Sequence, residues 1–387
     1  MLFTLDLETS VNCKDEGRMS GSPHYFGNSV VLAGWKAGNN AVGTGSVDDL
    51  TMELVEWLYS DHDYIVLCGF NISFDLAYLL RYEKFRKLLV EYKDVIRVWD
   101  AQQAQYLISG QAMIYPSLDG CCELYGLPVK PDKIKAYWNS GMRTEDIPID
   151  ELTEYLEHDV SVTEQLARLQ VKAMDKTMKD LCFIKGDDIL CTTIMENAGM
   201  HFDLDKCAEI SDELRVSLLE VQEKMHWLVK SETGFEYFTP TKNKEASTVL
   251  FGGTFEWDTK VEDGVYKSGI KKGQVKLKKQ VNTIDFDGIL SPVTKAKAKE
   301  LFQDSVSDQV LQWILENENP ENWAVGQFIG YLQDFREMHK DLSTYYDGYT
   351  KLVWDDGMIR PNFQHCATRT GRQSCTQPNL QNVSKGE

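Results

Sequence analysis

Apolar and polar positions alternate from the second residue onward. In LFTLDLET (2–9) Leu5 and Leu7 fall on one face and Asp6 and Glu8 on the other, the period-two pattern of a half-buried strand. NSVVLAGWKAG (28–38) predicts a second strand, and YIVLCGF (64–70) is a short apolar run of the buried-strand type. Helical spacing follows in SFDLAYLLRYEKFRKLL (73–89), AQQAQYLIS (101–109) and IDELTEYLEHDVSVTEQLARLQVKAMDK (149–176). Strands come first and helices then dominate, so a mixed sheet flanked by helices is expected for this part.

Past about Lys176 the pattern changes. KDLCFIKGDDILCTTIMENAG and DKCAEISDELRVSLLEVQEKMHWLVKSETG predict helices, the second long and amphipathic. A Gly- and Lys-rich stretch at 252–280 has hairpin composition, and helices resume from about 293 to 353. One boundary divides the chain most economically, into 1–175 and 176–387. No internal repeat or low-complexity segment is visible.

The 387 residues suffice for two or three cores, and 42% hydrophobic content marks a folded protein. No apolar run reaches the length of a membrane span, and Asp6 and Glu8 break the apolar start that a signal peptide would need. Nine cysteines without a Cys-x-x-Cys pair predict reduced thiols, a cytoplasmic setting and no zinc site. A formal charge of −19 argues against a broadly basic nucleic-acid surface. That objection weakens if the acids are partly catalytic and the base is local. KSGIKKGQVKLKK (267–279) is such a local base; it contains Lys271, Lys272, Lys276, Lys278 and Lys279 and no acid.

The candidate chemistry begins with Asp6 and Glu8 on one strand face. Asn71 follows the buried strand in GFNISFDLAYLL, with Phe74 and Asp75 in the next helical turn. In EYLEHDVSVTEQL, Tyr155 and Asp159 stand four apart and share a helix face. Each feature alone is commonplace: an Asp in a first helical turn often only answers the helix dipole. In this order and together, over residues 1–170, they resemble the three exonuclease motifs of the tyrosine-bearing DEDD nucleases. The resemblance implies a ribonuclease H-like fold and 3′→5′ hydrolysis of a phosphodiester with two Mg²⁺ about 4 Å apart, Mn²⁺ serving as a substitute. Hard cations take oxygen ligands, which carboxylates supply. By the same resemblance Asp6 bridges both ions, Glu8 and Asp159 hold the ion of the nucleophile, and Asp75 holds the other through water. Tyr155 orients the attacking water, and Asn71 and Phe74 help hold the terminal nucleotide. Asp100 in VWDAQQAQYL is expected to be structural.

The far end carries a second resemblance. TRTGRQSCTQPNLQN (368–382) resembles the Thr-x-Thr-Gly-Arg…Pro-Asn-Leu-Gln-Asn segment of family A DNA polymerases, the bacterial polymerase I and phage type. MENAGMHFD (195–203), NKEASTVLFG (243–252) and FREMHKDLSTYYDGYTKLV (335–353) resemble that family's entry to the palm, start of the thumb and helix leaving the thumb. The implied architecture after the exonuclease is a mainly helical thumb, with an insertion at about 252–322, and a partial palm. Arg372 would then lie in the minor groove at the primer terminus, with Thr370, Asn379 and Gln381 as neighbours. Minor-groove acceptors occur on every correct pair, so such a contact checks shape. Arg369, Gln373 and Cys375 depart from the family wording, as does the thumb start.

Lysines of the insertion would contact phosphates of a primer-template, and the insertion leaves room for a processivity factor. Asp285 and Asp287 have metal-pair spacing, but inside the insertion they predict a solvated turn. In that family the polymerase metal aspartates and the finger helix lie beyond the matched segment. The expectation is therefore a proofreading subunit of a split polymerase, acting on single-stranded 3′ ends and dependent on a second chain for synthesis. A fragment of a longer polymerase, a stand-alone nuclease of DNA or RNA, and a non-catalytic DNA-binding assembly subunit are the alternatives.

Overall fold

The computed structural model describes residues 1–14, 18–60, 63–129, 133–265 and 268–383. Lys267 of the lysine-rich segment lies outside them. The chain forms two compact units, one of residues 1–202 with 351–387 and the other of 203–350. The sequence pattern placed its boundary at 175/176 instead.

In the first unit, strands β1 (Leu2–Thr9), β2 (Val30–Ala37), β3 (Gly43–Gly45), β4 (Ile65–Gly69) and β5 (Ile96–Asp100) form one sheet in the order β3-β2-β1-β4-β5. β1 runs antiparallel to β2 and parallel to β4, and β4 runs parallel to β5, so the sheet is mixed as expected. The helices of this unit are α1 (Val47–Leu58), α2 (Ile72–Leu79), α3 (Glu83–Glu91), α4 (Ala101–Ile108), α5 (Leu118–Tyr125), α6 (Lys133–Asn139), α7 (Ile149–Ala173) and α8 (Lys176–Ala198).

The alternation in β1 decides which face does what. Phe3, Leu5 and Leu7 enter a core with Leu50 and Leu54 of α1 and Ile72 and Leu76 of α2. Position parity turns Thr4, Asp6 and Glu8 to the opposite face, where α7 packs on β1 and β2. β4 is buried along its whole length, which explains its unbroken apolar sequence. The apolar pattern of 73–89 is two helices, α2 and α3, separated by a turn at Leu80–Tyr82.

α7 and α8 are likewise separate. Asp175 ends the gap by accepting the Met178 amide at 2.8 Å, a side-chain N-cap. α8 nevertheless stays with the sheet: a Cβ at Gly186 would lie 2.1 Å from the Val98 carbonyl oxygen of β5. That contact is why the first unit extends past 175. The short strand β6 (Met200–His201) pairs with β9 (Met358–Ile359), and β10 (Asn362–Gln364) pairs with β11 (Ser374–Thr376), which returns the end of the chain to this unit.

Glu196 of α8 fastens β10 by accepting the Phe363 amide. Burial raises its carboxyl from 4.5 to about 7. The folded protein thus holds this proton more tightly than the unfolded chain does. The associated stability is complete below the unfolded value and is lost as pH rises through 7. Glu196→Gln keeps the acceptor and removes the titration. It is expected to flatten the fall in stability between about pH 5 and about pH 8 by up to about 3 kcal/mol, read by urea unfolding at both pH values.

In the second unit, α9 (Leu204–Thr233) is capped by Asp203, which accepts the Lys206 amide, and ends at Gly234 in the left-handed region at φ 72°. It packs on α13 (Trp323–Asp341) around Met225, Leu228, Phe328 and Leu332. Between them lie α10 (Asn243–Phe251), a hairpin of β7 (Gly253–Val265) and β8 (Val275–Phe286), α11 (Pro292–Phe302) and α12 (Asp308–Asn317). Among the described residues no helix is long and apolar enough to cross a membrane. All nine cysteines are free thiols, and only Cys191 is exposed.

Candidate functional site

The strand β1, the corner leading into α2, and the middle of α7 meet around a cavity of about 250 Å³. Asp6, Glu8, Asn71, Phe74, Asp75, Tyr155 and Asp159 all line it. These are all the residues singled out from the first three motifs. No lysine or arginine is among its described lining residues.

Each side chain is delivered by a local device. β1 outruns β4, whose register ends at Thr4–Cys68, so the Leu7 amide has no strand partner there. Asp75 takes that place: its Oδ1 accepts Leu7 N–H at 3.1 Å. An Asp in a first turn would ordinarily face solvent, whereas Asp75 is 2% exposed. Asn71 stands in the left-handed region at φ 58° and ψ 47°, a conformation Asn tolerates better than most residues. Its amide donates to Asp100 Oδ1 at 3.1 Å, and the same oxygen accepts Gln102 and Gln103 amides to cap α4. Asp100 thus fixes the corner that bears Asn71, in keeping with its expected structural place. Tyr155 and Asp159 share one face of α7. The Tyr155 ring meets Trp138 edge-on, 6.3 Å between centroids and 85° between planes.

The electrostatics are those of crowded acids. Burial, then the charge of Asp159, pushes Asp6 up to about 8, against the pull of the Leu7 amide. Burial and the charge of Asp6 hold Asp75 well above the usual carboxylate range. Asp159 is raised by burial and held back by hydrogen bonds from His158 and Tyr155. The cluster resists carrying its full negative charge unless positive charge joins it. Among the described residues no group of three or more His, Cys, Asp or Glu side chains is arranged to hold a metal ion as it stands. Asp159 Oδ1 lies 3.2 Å from His158 Nδ1. The donor set itself, four carboxylates around one cavity, suits a hard divalent ion.

The motifs did not reveal Trp138, Leu118, Phe70 and Thr163, which also line the cavity. Trp138 is placed by its Nε1–H, which donates to Thr144 Oγ1 at 3.2 Å. Its helix carries no motif, and an isolated aromatic offers little to find it by.

The second set of candidates lies apart from this cavity. Thr370, Arg372 and Gln381 are exposed at the end of the chain. Asn379 Oδ1 accepts the Gln381 amide, and Gln381 Nε2 donates to Gln373 O. The loop is moored to the first unit: Tyr106 of α4 donates to Thr368 O at 2.6 Å, and Thr368 Oγ1 donates to Arg372 O at 2.8 Å. Gln373 meets His365 Nδ1, while His365 Nε2 meets Thr192 of α8. Burial lowers the His365 ring to about 4, so it is neutral in this role. Cys375 is buried with its thiol on the Pro378 carbonyl.

The lysines sit on the hairpin of the second unit. Acids of the facing strand answer two of them: Lys276 pairs with Asp263 at 2.9 Å and Lys279 with Asp258 at 2.8 Å. Lys271 and Lys272 lie exposed in the connecting turn. Asp285 accepts the Thr254 hydroxyl within the hairpin and belongs to its fabric.

Residues 257–387 match DNA polymerase family A. DNA polymerase I of Bacillus subtilis is 24% identical over 289 residues, 74% of this chain and 27% of that protein. DNA polymerase I of Geobacillus stearothermophilus is 30% identical over 124 residues, 32% of this chain and 13% of that protein. Among solved structures, the POL domain of Pol1 from M. smegmatis, in complex with DNA primer-template and dNTP, superposes with a TM-score of 0.57 and 14% identity. That likeness covers 99% of this chain and 52% of that one, and it concerns the fold alone. The chain thus spans about half of the solved polymerase and about a quarter or less of these curated relatives. Residues 257–387 are thus similar to a segment of DNA polymerase family A, and DNA polymerases I are among the chain's curated relatives.

Proposed function

We propose that the protein is a 3′→5′ exonuclease joined to a DNA-holding part of a family A DNA polymerase, and that residues 1–175 form a ribonuclease H-like nuclease domain. The observation that carries this is the meeting of Asp6, Glu8, Asp75, Asp159 and Tyr155 around one cavity. The mixed five-stranded sheet supports the fold assignment.

Two Mg²⁺ held by Asp6, Glu8, Asp75 and Asp159, with Mn²⁺ as a substitute, would supply Lewis acidity and charge neutralisation. The chain's own groups do the rest. Asn71 and Phe74 bind the terminal nucleotide beside the carboxylates. The Tyr155 hydroxyl orients the water whose oxygen bonds to phosphorus as the bond to the 3′-oxygen breaks. Trp138 fixes the Tyr155 ring and narrows the cavity against bulk water.

The test is digestion of a 5′-labelled single-stranded DNA with and without Mg²⁺. A ladder of products shortened from the 3′ end, abolished by chelation, is expected. An intact strand at every Mg²⁺ concentration overturns the proposal, and faster digestion of RNA than of DNA assigns the site to an RNA nuclease.

For the polymerase-like part we propose that Arg372, Thr370, Asn379 and Gln381 follow the minor groove at a primer terminus. Synthesis would use a second chain with the remaining palm and the fingers. Co-purification from the native source with a primer-extending polypeptide tests that partnership, and the hairpin is the proposed place for duplex contact or for a processivity factor. Replacing Lys271 and Lys272 by glutamine is expected to lower the log–log salt slope of primer-template binding by about 1.8, at roughly 0.9 per phosphate contact. Replacing Lys276 and Lys279 should change it less, because each already faces an acid. An unchanged slope in the first variant would turn the hairpin toward a protein partner.

A further inference from the structure

β2 has a glycine where α7 crosses it. Gly34 pairs with Asp6 in the β1–β2 register. Directly opposed residues of an antiparallel pair project from the same face, so position 34 points with Asp6 toward α7. A Cβ at Gly34 would lie 2.7 Å from Leu156 Cγ and 3.1 Å from both Leu156 Cδ2 and Val160 Cγ2. Leu156 follows Tyr155 in the chain, and Val160 follows Asp159. Both are fully buried, so neither can swing aside into solvent.

The backbone of Gly34 lies outside the left-handed region, so its conformation does not require glycine. Glycine inside a strand weakens it, which makes space the remaining reason for one here. The neighbouring positions of β2 grip the same helix. Leu32 packs in the cluster that holds Tyr155, and Lys36 reaches Glu164 at 3.5 Å.

We infer that Gly34 is a positioning residue of the carboxylate site. Its missing side chain sets how closely the helix bearing Tyr155 and Asp159 approaches the strand bearing Asp6 and Glu8. The inference rests on reading the cavity as a hydrolytic site. Relieving a 2.7 Å contact to an ordinary carbon separation needs about 1 Å of movement. α7 is 25 residues long, so such a movement carries Tyr155 and Asp159 together away from Asp6. A misplacement of about 1 Å costs on the order of 10²-fold in rate.

Gly34→Ala, Leu156→Ala and the double variant test this, with kcat and KM for single-stranded DNA separated and Mn²⁺ binding read without DNA by the paramagnetic resonance of the free ion. Gly34→Ala is expected to lose about 10²-fold in kcat with little change in KM, and to bind Mn²⁺ more weakly. The double variant gives the added methyl the room that the leucine vacates. It is expected to return to within about tenfold of Leu156→Ala in kcat and to recover Mn²⁺ binding. Wild-type kcat and Mn²⁺ binding in Gly34→Ala overturn the inference. So does a double variant about 10²-fold below Leu156→Ala, a comparison that stands even if Gly34→Ala alone does not fold. A wild-type protein that binds Mn²⁺ but digests nothing sinks the nuclease reading, while the Mn²⁺ measurements still judge the spacing.

Discussion

Asp75→Asn is expected to lower Mg²⁺-dependent digestion by at least about 10³-fold, while the protein stays folded and still binds single-stranded DNA. The amide is chosen for a structural reason. Asp75 accepts the Leu7 amide at 3.1 Å from a buried position. Alanine would leave that N–H without a partner, at a cost of about 1–3 kcal/mol, and would confuse misfolding with lost chemistry. Asparagine keeps an acceptor and removes only the charge. Because Asp75 already holds its proton well above the usual range, a neutral side chain there resembles the metal-free state of the wild type. The metal-free variant should therefore unfold no earlier than the wild type.

Two measurements check this. The first is the digestion rate of a labelled strand. The second is the rise in unfolding temperature on adding Mg²⁺, which follows from any ligand that binds only the folded state. Wild type should show that rise and Asp75→Asn should show much less of it. Asp6→Asn should behave alike, since burial and the charge of Asp159 raise the proton affinity of Asp6, and burial and the charge of Asp6 raise that of Asp75. Undiminished digestion by either variant removes these carboxylates from the chemistry.

Much of the first unit was legible in the chain because its signals are local. The alternation of β1 separated Leu5 and Leu7 from Asp6 and Glu8, and the sheet places them on opposite faces as that period requires. The four-residue spacing of Tyr155 and Asp159 placed both on one side of α7. Elements that depend on distant contacts were not legible. The three residues of β3 are GTG, which no propensity marks as a strand; pairing with Ala33, Gly34 and Trp35 makes them one. The return of residues 351–383 to the first unit rests on Tyr106 with Thr368 and on Thr192 with His365. Those partners are too far apart in sequence for any pattern to announce.

Two glycines were passed over in the sequence pattern. Gly34 and Gly186 sit inside a strand and a helix, where glycine is unfavourable. Both prove to be points of close approach, to α7 and to β5. The lysine-rich segment shows the opposite failure. It reads as a block of positive charge because its acids lie on the other strand: β7 brings Asp258 and Asp263 against Lys279 and Lys276. Charge along a strand says little about charge on a face until the pairing register is known.

Tyr155→Phe should lower kcat about 10²–10³-fold and leave KM for single-stranded DNA and the need for Mg²⁺ close to those of wild type. The ring is held from outside the chemistry. It meets Trp138 edge-on and belongs to the apolar cluster of Ile134, Ile147 and Leu152. Phenylalanine keeps all of that contact, so the substitution removes one hydroxyl and little else. The hydroxyl has two possible employments at this place. One is the hydrogen bond to Asp159, which holds that carboxyl below where burial alone would put it. The other is to orient the attacking water. They differ in what their loss does. If the bond to Asp159 is the main one, Tyr155→Phe makes Asp159 a poorer ligand, and a higher Mg²⁺ concentration restores the rate. If water orientation is the main one, saturating Mg²⁺ does not restore it. The second outcome is expected, because Asp159 keeps His158 as a hydrogen-bond partner in the variant. Full rescue by Mg²⁺ would reassign Tyr155 to holding Asp159, and a variant as fast as wild type at every Mg²⁺ concentration would remove it from the mechanism.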